Sequence, residues 1–151
     1  MQVKLRVYLD TSVLSAMFDA RMPERRLQTQ DFWDRRSEFE LGTSQVCVRE
    51  IGRVKSQDLR EKLIASLPEL TVLELNNEIQ VLAHAYVSSG AFSSAMVDDA
   101  LHVATAVYYR YDVLLSWNYR HLVNRRRRAA VLAVNAANGY PSIDIVAPPE
   151  L

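Results

Sequence analysis

The amino-acid sequence predicts an α/β protein, a three-layer α/β/α sandwich around a central, mainly parallel sheet of about five strands. Short apolar segments alternate with helical segments of ten or more residues, the pattern of strands joined by crossover helices. The apolar run 113–115 is continuous, as expected of a strand buried on both faces. The length of 151 residues suits a single domain, 1–151.

Local patterns define the elements of the first half. Apolar residues alternate with a period of two up to Leu9, and Asp10 ends this run. The hydroxyls of Thr11 and Ser12 suit a helix start. Pro23 marks the start of a second helix, and Pro68 marks the end of a later one. The predicted elements are a strand over 3–9, a helix over 11–19, a helix over 23–39, a strand over 43–46, a helix around 48–51 and a helix over 56–67.

The second half contains the clearest helix of the chain. Its apolar residues follow i, i+3, i+4, i+7 spacing over 97–108, and Asp98 and Asp99 lie in the first turn, where the helix dipole favours anions. The remaining predicted elements are a strand over 71–75, a helix that follows Asn76 and Asn77 and ends at 88–90, a strand over 113–115, a helix over 120–137 and a strand over 143–146.

Composition excludes several classes of protein. Cys47 is the only cysteine, which rules out an internal disulfide and a cysteine-rich zinc site. The four glycines do not form a GxGxxG or Walker A loop. The charged start and the absence of an apolar run of about 20 residues predict a soluble, cytoplasmic protein with no membrane partner.

Arginine is concentrated near the end of the chain. The net charge is zero, but 15 Arg stand against three Lys, and residues 119–128 contain five arginines and no acid. The guanidinium group binds phosphate in bidentate fashion, so this segment predicts a nucleic-acid-binding face; a solvated helix end is the alternative. The candidate nucleic-acid-binding residues are Arg120, Arg125, Arg126, Arg127 and Arg128.

Three acids are predicted to approach the carboxyl edge of the sheet, where open α/β sheets bind ligands. Asp10 directly follows a strand, and Glu50 and Asp99 lie near helix starts. Two carboxylates about 4 Å apart repel by about 4 kcal/mol at an effective dielectric of 20. A hard divalent ion, Mg²⁺ or Mn²⁺, would neutralise them, and together with the arginines this suggests phosphodiester hydrolysis.

Four segments carry a resemblance to a known family. They are 7–14 (VYLDTSVL), 48–51 (VREI), 98–106 (DDALHVATA) and 115–122 (LSWNYRHL). In order and spacing they resemble the acidic motifs of PIN-domain nucleases, of which VapC-type toxins are the best-known small members. The resemblance spans residues 3–146.

The resemblance implies a Mg²⁺- or Mn²⁺-dependent endoribonuclease and allows a role as the toxin of a toxin–antitoxin pair. Asp10, Glu50 and Asp99 match the family's metal-ligating acids, and Thr11 or Ser12 matches the hydroxyl beside the first aspartate. The resemblance also allows a cognate antitoxin as a partner, and an exposed apolar face would favour a homodimer.

The fourth motif departs from the common family pattern. Many members have an aspartate where this chain has Asn118, whose amide offers an oxygen without a charge. Several stand-alone PIN proteins share the Trp-Asn-x-x-His version, so Asn118 is predicted to be a site residue. Possible supporting residues are Thr11, Ser12, Asp98 and His121.

The candidate residues also have ordinary structural explanations. Asp10 could be a helix N-cap, Asp98 and Asp99 could complement a helix dipole, and Asn118 could shape a turn. For His102 and His121 the favoured interpretation is a hydrogen bond to a neighbouring carboxylate rather than metal ligation.

Two other classes of enzyme do not fit the sequence. A haloacid-dehalogenase phosphatase needs a second aspartate where Ser12 stands, and a response-regulator receiver needs a late lysine, but none follows Lys62. A catalytically weak PIN-like module that binds RNA or protein, and a structure-selective DNA nuclease, remain alternatives.

Overall fold

The computed structural model describes residues 3–151. Its sheet contains five parallel strands in the order β3-β2-β1-β4-β5. The strands are β1 (Leu5–Leu9), β2 (Phe39–Ser44), β3 (Thr71–Leu73), β4 (Val113–Leu115) and β5 (Asp144–Val146). The central strand β1 pairs with β2 on one side and β4 on the other, which confirms the predicted parallel α/β architecture.

Within residues 3–151, seven α-helices connect and cover the strands. They are α1 (Thr11–Ala16), α2 (Pro23–Asp34), α3 (Gln45–Gly52), α4 (Gln57–Ser66), α5 (Asn77–Ser88), α6 (Val97–Tyr108) and α7 (Arg125–Ala137). Short 3-10 turns occupy Arg36–Glu38, Leu67–Glu69, Ser94–Met96 and Pro148–Glu150. None of the helices in the described part of the chain has the length and apolar character to cross a bilayer.

Alternating side chains of the strands divide the core into two layers. Tyr8 and Leu114 face α5, α6 and α7, whereas Val7, Leu9 and Leu115 face α1 to α4. Because neighbouring residues of a strand point to opposite faces, each central strand contributes to both layers. The result is the predicted three-layer sandwich, with helices on both faces of the sheet.

The prediction for residues 23–46 was wrong in its boundaries. α2 ends at Asp34 rather than at 39, and β2 begins at Phe39 rather than at 43 and ends at Ser44, so that Val46 lies in α3. Gly42 interrupts the apolar pattern at the middle of the strand. A Cβ at Gly42 would lie 2.1 Å from Oη of Tyr111, so the missing side chain makes room for this ring.

The last helix, predicted over 120–137, begins later, at Arg125. Residues 118–124 instead form turns in which the carbonyl of Asn118 accepts the N–H groups of Leu122 and Val123. The side chain of Asn124 then accepts the N–H of Arg127 and caps α7. The strand predicted over 71–75 ends earlier, at Leu73.

Candidate active site

Asp10 lies at the carboxyl end of the central strand β1, where the chain turns into α1. Its side chain is only 4% exposed and accepts hydrogen bonds from Ser12 at Oδ1 and from Ser116, which follows β4, at Oδ2; both distances are 2.5 Å. The N–H of Val13 also points to Oδ1, at 3.4 Å, so Asp10 is a helix N-cap as well. Burial raises the pKa of Asp10, although the charge of His102 and the two hydroxyl donors oppose this effect.

Glu50 approaches the same edge from α3, which begins directly after β2. Its Oε1 accepts a hydrogen bond from Thr11 at 2.8 Å and lies 2.5 Å from Nε2 of His102. Burial would raise the pKa of Glu50, but the hydrogen bonds from His102 and Thr11 and the charge of His102 lower it below its ordinary value. Glu50 is therefore held ionised by groups from two other elements.

His102 links the carboxylates to the core. It is 2% exposed on α6, and its Nδ1 lies 2.6 Å from the hydroxyl of Tyr8, which in turn lies 2.7 Å from Oγ of Ser44. Burial alone would lower the pKa of His102. The hydrogen bond and charge of Glu50, with the charges of two nearby aspartates, raise it instead. This histidine is thus a buried cationic partner of the acids.

Asp99 and Asp98 lie in the first turn of α6 but have different partners. Asp99 Oδ2 is 3.1 Å from Nδ1 of His121, and burial raises the pKa of Asp99 despite the nearby histidines. Asp98 forms a more exposed ion pair, 3.0 Å long, with Arg53. The two histidines bond carboxylates as expected, but His102 bonds Glu50 from a distant helix rather than Asp98 one turn away.

Asn118 shapes the turn after β4. Its side-chain oxygen accepts the N–H of His121 at 2.9 Å, and its own N–H donates to Ser116 at 2.9 Å. In this conformation Asn118 supports the loop that brings His121 to Asp99. A role as a direct ligand stays a prediction.

The donor set at this edge fits a hard divalent cation in its chemistry. Asp10, Glu50 and Asp99 offer carboxylate oxygens and influence each other electrostatically, and within residues 3–151 none of them forms an ion pair with lysine or arginine. The described residues contain no cluster of three His, Cys, Asp or Glu side chains close enough to hold a metal ion. The acids therefore share one edge, each with its own partners.

The five arginines predicted to contact RNA differ in their surroundings. Arg120, Arg125 and Arg126 are exposed. Arg127 donates to the carbonyl of Ala91, and Arg128 donates to the carbonyl of Ile145 at 3.0 Å. The guanidinium groups of Arg127 and Arg128 therefore bind backbone carbonyls of the protein itself, a structural role that the charge pattern did not indicate.

Two aromatic residues follow Ser116, and the first of them, Trp117, donates its backbone N–H to Ser12, the partner of Asp10. The guanidinium of Arg25 lies 5.2 Å from the ring centre of Trp117 and 5.4 Å from that of Tyr119. Arg25 and Trp117 line a pocket of about 350 Å³ together with Ser12 and Asn118. The indole nitrogen of Trp117 donates to Thr29 inside the core, whereas Tyr119 is 46% exposed.

Sequence reasoning missed two residues that organise the site. Ser116 donates to Asp10, and Tyr8 bonds both His102 and Ser44. The placement of Ser116 directly after an apolar strand was a usable signal, because this position faces the same edge as Asp10. Tyr8 gave no signal, since a tyrosine inside a strand usually belongs to the core.

These features define a parallel α/β domain with acidic side chains at the carboxyl edge of its sheet. The family model for the PIN domain matches residues 7–126, and the chain belongs to the PIN-domain family. Membership of this family supports nuclease activity, the hydrolysis of phosphodiester bonds, and nucleases of the family generally use divalent metal ions. No curated protein sequence matches the chain.

Solved structures share the fold at low sequence identity. FitAcB from Neisseria gonorrhoeae is 16% identical, with a TM-score of 0.62 over 96% of this chain and 99% of that one. VapBC-1 from nontypeable Haemophilus influenzae is 12% identical, with a TM-score of 0.60 over 96% and 99%. A toxin–antitoxin complex from Klebsiella pneumoniae is 16% identical, with a TM-score of 0.59 over 76% and 88%. These likenesses support the fold.

Proposed function

We propose that this protein is a metal-dependent endoribonuclease whose acidic residues Asp10, Glu50 and Asp99 act on RNA phosphodiester bonds. The observation that carries the proposal is the buried Asp10 at the carboxyl edge of β1. It is close enough to Asp99 for their charges to interact, and it forms no ion pair with a basic side chain of residues 3–151. Membership of the PIN-domain family supports nuclease chemistry at this acidic edge.

Each acid is oriented by its own donors. Ser12 and Ser116 fix both oxygens of Asp10, and Thr11 and His102 fix one oxygen of Glu50. A Mg²⁺ or Mn²⁺ ion held by these acids and Asp99 would neutralise them and supply an activated water for attack on the phosphorus. The donors reduce the motion of the ligands and so lower the reorganisation that binding and reaction require.

His121 and Asn118 support Asp99. Asn118 accepts the N–H of His121, and the ring of His121 reaches Asp99. In the proposal, Asn118 positions this loop, and its amide is a candidate contact to a ligand or a water. Exposed Arg120, Arg125 and Arg126 then provide the cationic surface along which the RNA backbone lies.

A role as the toxin of a toxin–antitoxin pair is the biological setting that we favour. It is supported by the fold shared with the toxin–antitoxin complex from Klebsiella pneumoniae. A cognate antitoxin and a homodimer belong to this proposal. Exposed apolar side chains that a protein partner could cover include Leu27, Ile64 and Val81.

A PIN-like module that binds RNA without cutting it is the second candidate. The observation that favours it is that both oxygens of Asp10 are already hydrogen-bonded and that no three ligand side chains among residues 3–151 meet at one point. The two candidates differ in a single measurable property, metal-dependent cleavage.

The test is a cleavage assay with labelled single-stranded and structured RNA, and with flap DNA in parallel. Protein freed of metal with a chelator should be inactive, and added Mn²⁺ or Mg²⁺ should restore cutting of RNA. Asp10→Asn and Asp99→Asn should abolish it. Asp58→Asn is the matched control, because Asp58 is an exposed acid of α4 that pairs only with Lys62 at 3.1 Å, and it should cut as the wild type does.

Three results would contradict the proposal. Cleavage that persists near the wild-type rate in both Asp10→Asn and Asp99→Asn would show that these acids do not carry the reaction. Metal-independent binding of RNA without cutting, unchanged by the aspartate substitutions, supports the binding module. Cutting of flap DNA but not of RNA identifies a DNA nuclease.

A further inference from the structure

A cleft of about 780 Å³ lies between the connection from α5 to α6 and the beginning of α7. One wall contains Ser93 and Ser94, and the other contains Arg120, Asn124 and Arg126. Its volume falls in the range of about 300–1,000 Å³ that is typical of ligand pockets. The cleft can therefore admit part of a single nucleic-acid strand.

Both walls of the cleft are free of acidic residues. No Asp or Glu occurs in 79–97 or in 113–143, the segments that supply the lining. Within residues 3–151, Arg120 and Arg126 form no ion pair with a carboxylate. Their charges are thus available to an anionic ligand.

Arg127 fixes the geometry of this cleft. Its guanidinium donates to the carbonyl of Ala91 and lies 4.9 Å from the ring centre of Phe92, which is 1% exposed. These contacts tie the α5–α6 connection to the first turn of α7. The two walls are therefore held at a defined separation before any ligand enters.

Two short segments of the chain connect the cleft with the acidic edge. Arg120 is followed directly by His121, whose ring bonds Asp99. On the opposite wall, the turn Ser94–Met96 runs straight into α6, in which Asp99 is the third residue. A strand whose phosphate reaches Asp99 would have its next nucleotides at the cleft.

We propose that this cleft is a subsite for the sugar–phosphate backbone of single-stranded RNA, for nucleotides that flank the bond that is cut. Arg120 and Arg126 bind the backbone phosphate, and the hydroxyls of Ser93 and Ser94 donate hydrogen bonds to the same backbone. The inference rests on the proposed nuclease function, because it is the acidic edge that fixes where the scissile phosphate lies.

The first measurement is binding of a fluorescein-labelled, twelve-nucleotide RNA of mixed sequence by fluorescence anisotropy, with chelator present and at several salt concentrations. Chelator prevents metal-dependent cutting, so binding is measured alone. We expect Arg120→Ala and Arg126→Ala each to weaken binding several-fold and the double variant to weaken it roughly tenfold. The slope of log K against log salt should fall by about 0.7 for each phosphate contact that is lost.

Two other variants serve as comparisons. Lys4→Ala removes one exposed positive charge at the amino end of β1, at the opposite edge of the sheet, and should bind RNA as the wild type does. Arg125→Ala removes an exposed charge from the same helix without touching the lining of the cleft, and its loss should be smaller than that of Arg126→Ala. Equal losses for Arg125→Ala and Arg126→Ala would overturn the subsite in favour of a diffuse basic surface.

The second measurement is cleavage with Mn²⁺ and RNAs of decreasing length. The cleft variants should raise KM and leave kcat nearly unchanged with long RNA, because the cleft binds away from the reacting atoms. This difference should vanish for RNAs that are too short to reach the cleft. A loss of kcat that is the same at every length would overturn the proposal.

The two proposals fail in distinguishable ways. Wild-type protein that binds RNA through Arg120 and Arg126 but never cuts it retains the cleft as a binding site and loses the nuclease function. Wild-type protein that cuts RNA with no effect of these substitutions retains the function and loses the subsite. A change in oligomeric state instead of RNA affinity would assign the cleft to a protein interface.

Discussion

Asp10 and Glu50 stand at one edge of the same sheet but are held by different chemistry. Asp10 is buried, its two oxygens accept hydrogen bonds from the neutral hydroxyls of Ser12 and Ser116, and its pKa is raised. Glu50 is half-buried, its main partner is the cationic His102, and its pKa is lowered. Neutral donors fix a carboxylate without removing its charge, whereas an imidazolium both fixes and neutralises it.

This difference divides the site into an inner and an outer part. The inner part is Asp10, whose two oxygens accept hydrogen bonds from Ser12 and Ser116 and whose charged form burial disfavours. The outer part contains Glu50, whose charge His102 balances in part, and Asp99, which lies 3.1 Å from His121 but whose pKa burial still raises. A divalent ion would therefore gain most from the two aspartates and would compete with His102 for Glu50.

The largest effect is expected for Asp10→Asn. Cleavage with Mn²⁺ should fall by at least about 10²–10³-fold, because the loss removes the inner charge and no other side chain replaces it. RNA cleavage rates at saturating Mn²⁺ test this. Activity within tenfold of the wild type would show that Asp10 is a helix cap and nothing more.

The same variant should unfold no more easily than the wild type at pH 7. Because the pKa of Asp10 is raised on folding, ionised Asp10 destabilises the folded state. This cost is absent below the pKa of an unfolded aspartate, about 3.9, and is complete above the folded pKa. Thermal unfolding with chelator at pH 7 should give Asp10→Asn a Tm equal to or above that of the wild type, and a clear decrease would contradict the assignment.

The next effect is expected for His102→Gln. The substitution removes the cation beside Glu50 and a partner of Tyr8, so kcat should fall about 10–100-fold, as for other residues that orient metal ligands. It should also lower the Mn²⁺ concentration for half-maximal activity, because an uncompensated Glu50 attracts the ion more strongly. Glu50→Gln is the comparison variant, and it should raise that concentration.

A His102→Gln variant that requires more Mn²⁺ would contradict this account. The result would mean that the histidine supports the ion rather than competes with it. Thermal unfolding must accompany the assay, because loss of a buried hydrogen-bond partner costs about 1–3 kcal/mol.

How far the sequence predicts this site depends on whether a feature is local. The strand before Asp10 and the helix with Asp99 in its first turn follow from periodicity and helix-dipole preference over a few residues, and both are confirmed as elements. The start of β2 was missed because Gly42 breaks the strand pattern, and the reason for this glycine is Tyr111, far along the chain.

The partners of the acids are the part that local patterns do not contain. The carboxylates nearest to His102 in sequence on its own helix are those of Asp98 and Asp99, one turn away, but His102 bonds Glu50 on α3. Ser116 bonds Asp10 across 106 positions of sequence. These pairs depend on the register between β1 and β4 and on how α6 packs against α3, which only the assembled fold specifies.

Ser116→Ala tests the role of the neutral hydroxyl donors that hold Asp10. The change removes one of two hydroxyls on Asp10 and also the acceptor of the Asn118 N–H, so activity should fall about tenfold. In contrast to His102→Gln, it should raise the Mn²⁺ concentration for half-maximal activity, because Asp10 is less well oriented and no positive charge has been removed. If this Mn²⁺ concentration rises in Ser116→Ala and falls in His102→Gln, the result supports the division of the site into an inner and an outer part. A change in the same direction for both variants would refute it.

The smallest effect is expected for His121→Gln, which replaces the partner of Asp99 in the outer part. His121 is 32% exposed and its bond to Asp99 is 3.1 Å long, so water can take over the lost hydrogen bond. The amide of glutamine can also still donate to the carboxylate, and Asn118 continues to hold the loop through the backbone N–H of residue 121. We expect less than about tenfold loss of activity and a Tm close to that of the wild type. A loss as large as that of His102→Gln would mean that exposure does not distinguish the two histidines and that His121 acts on the substrate itself.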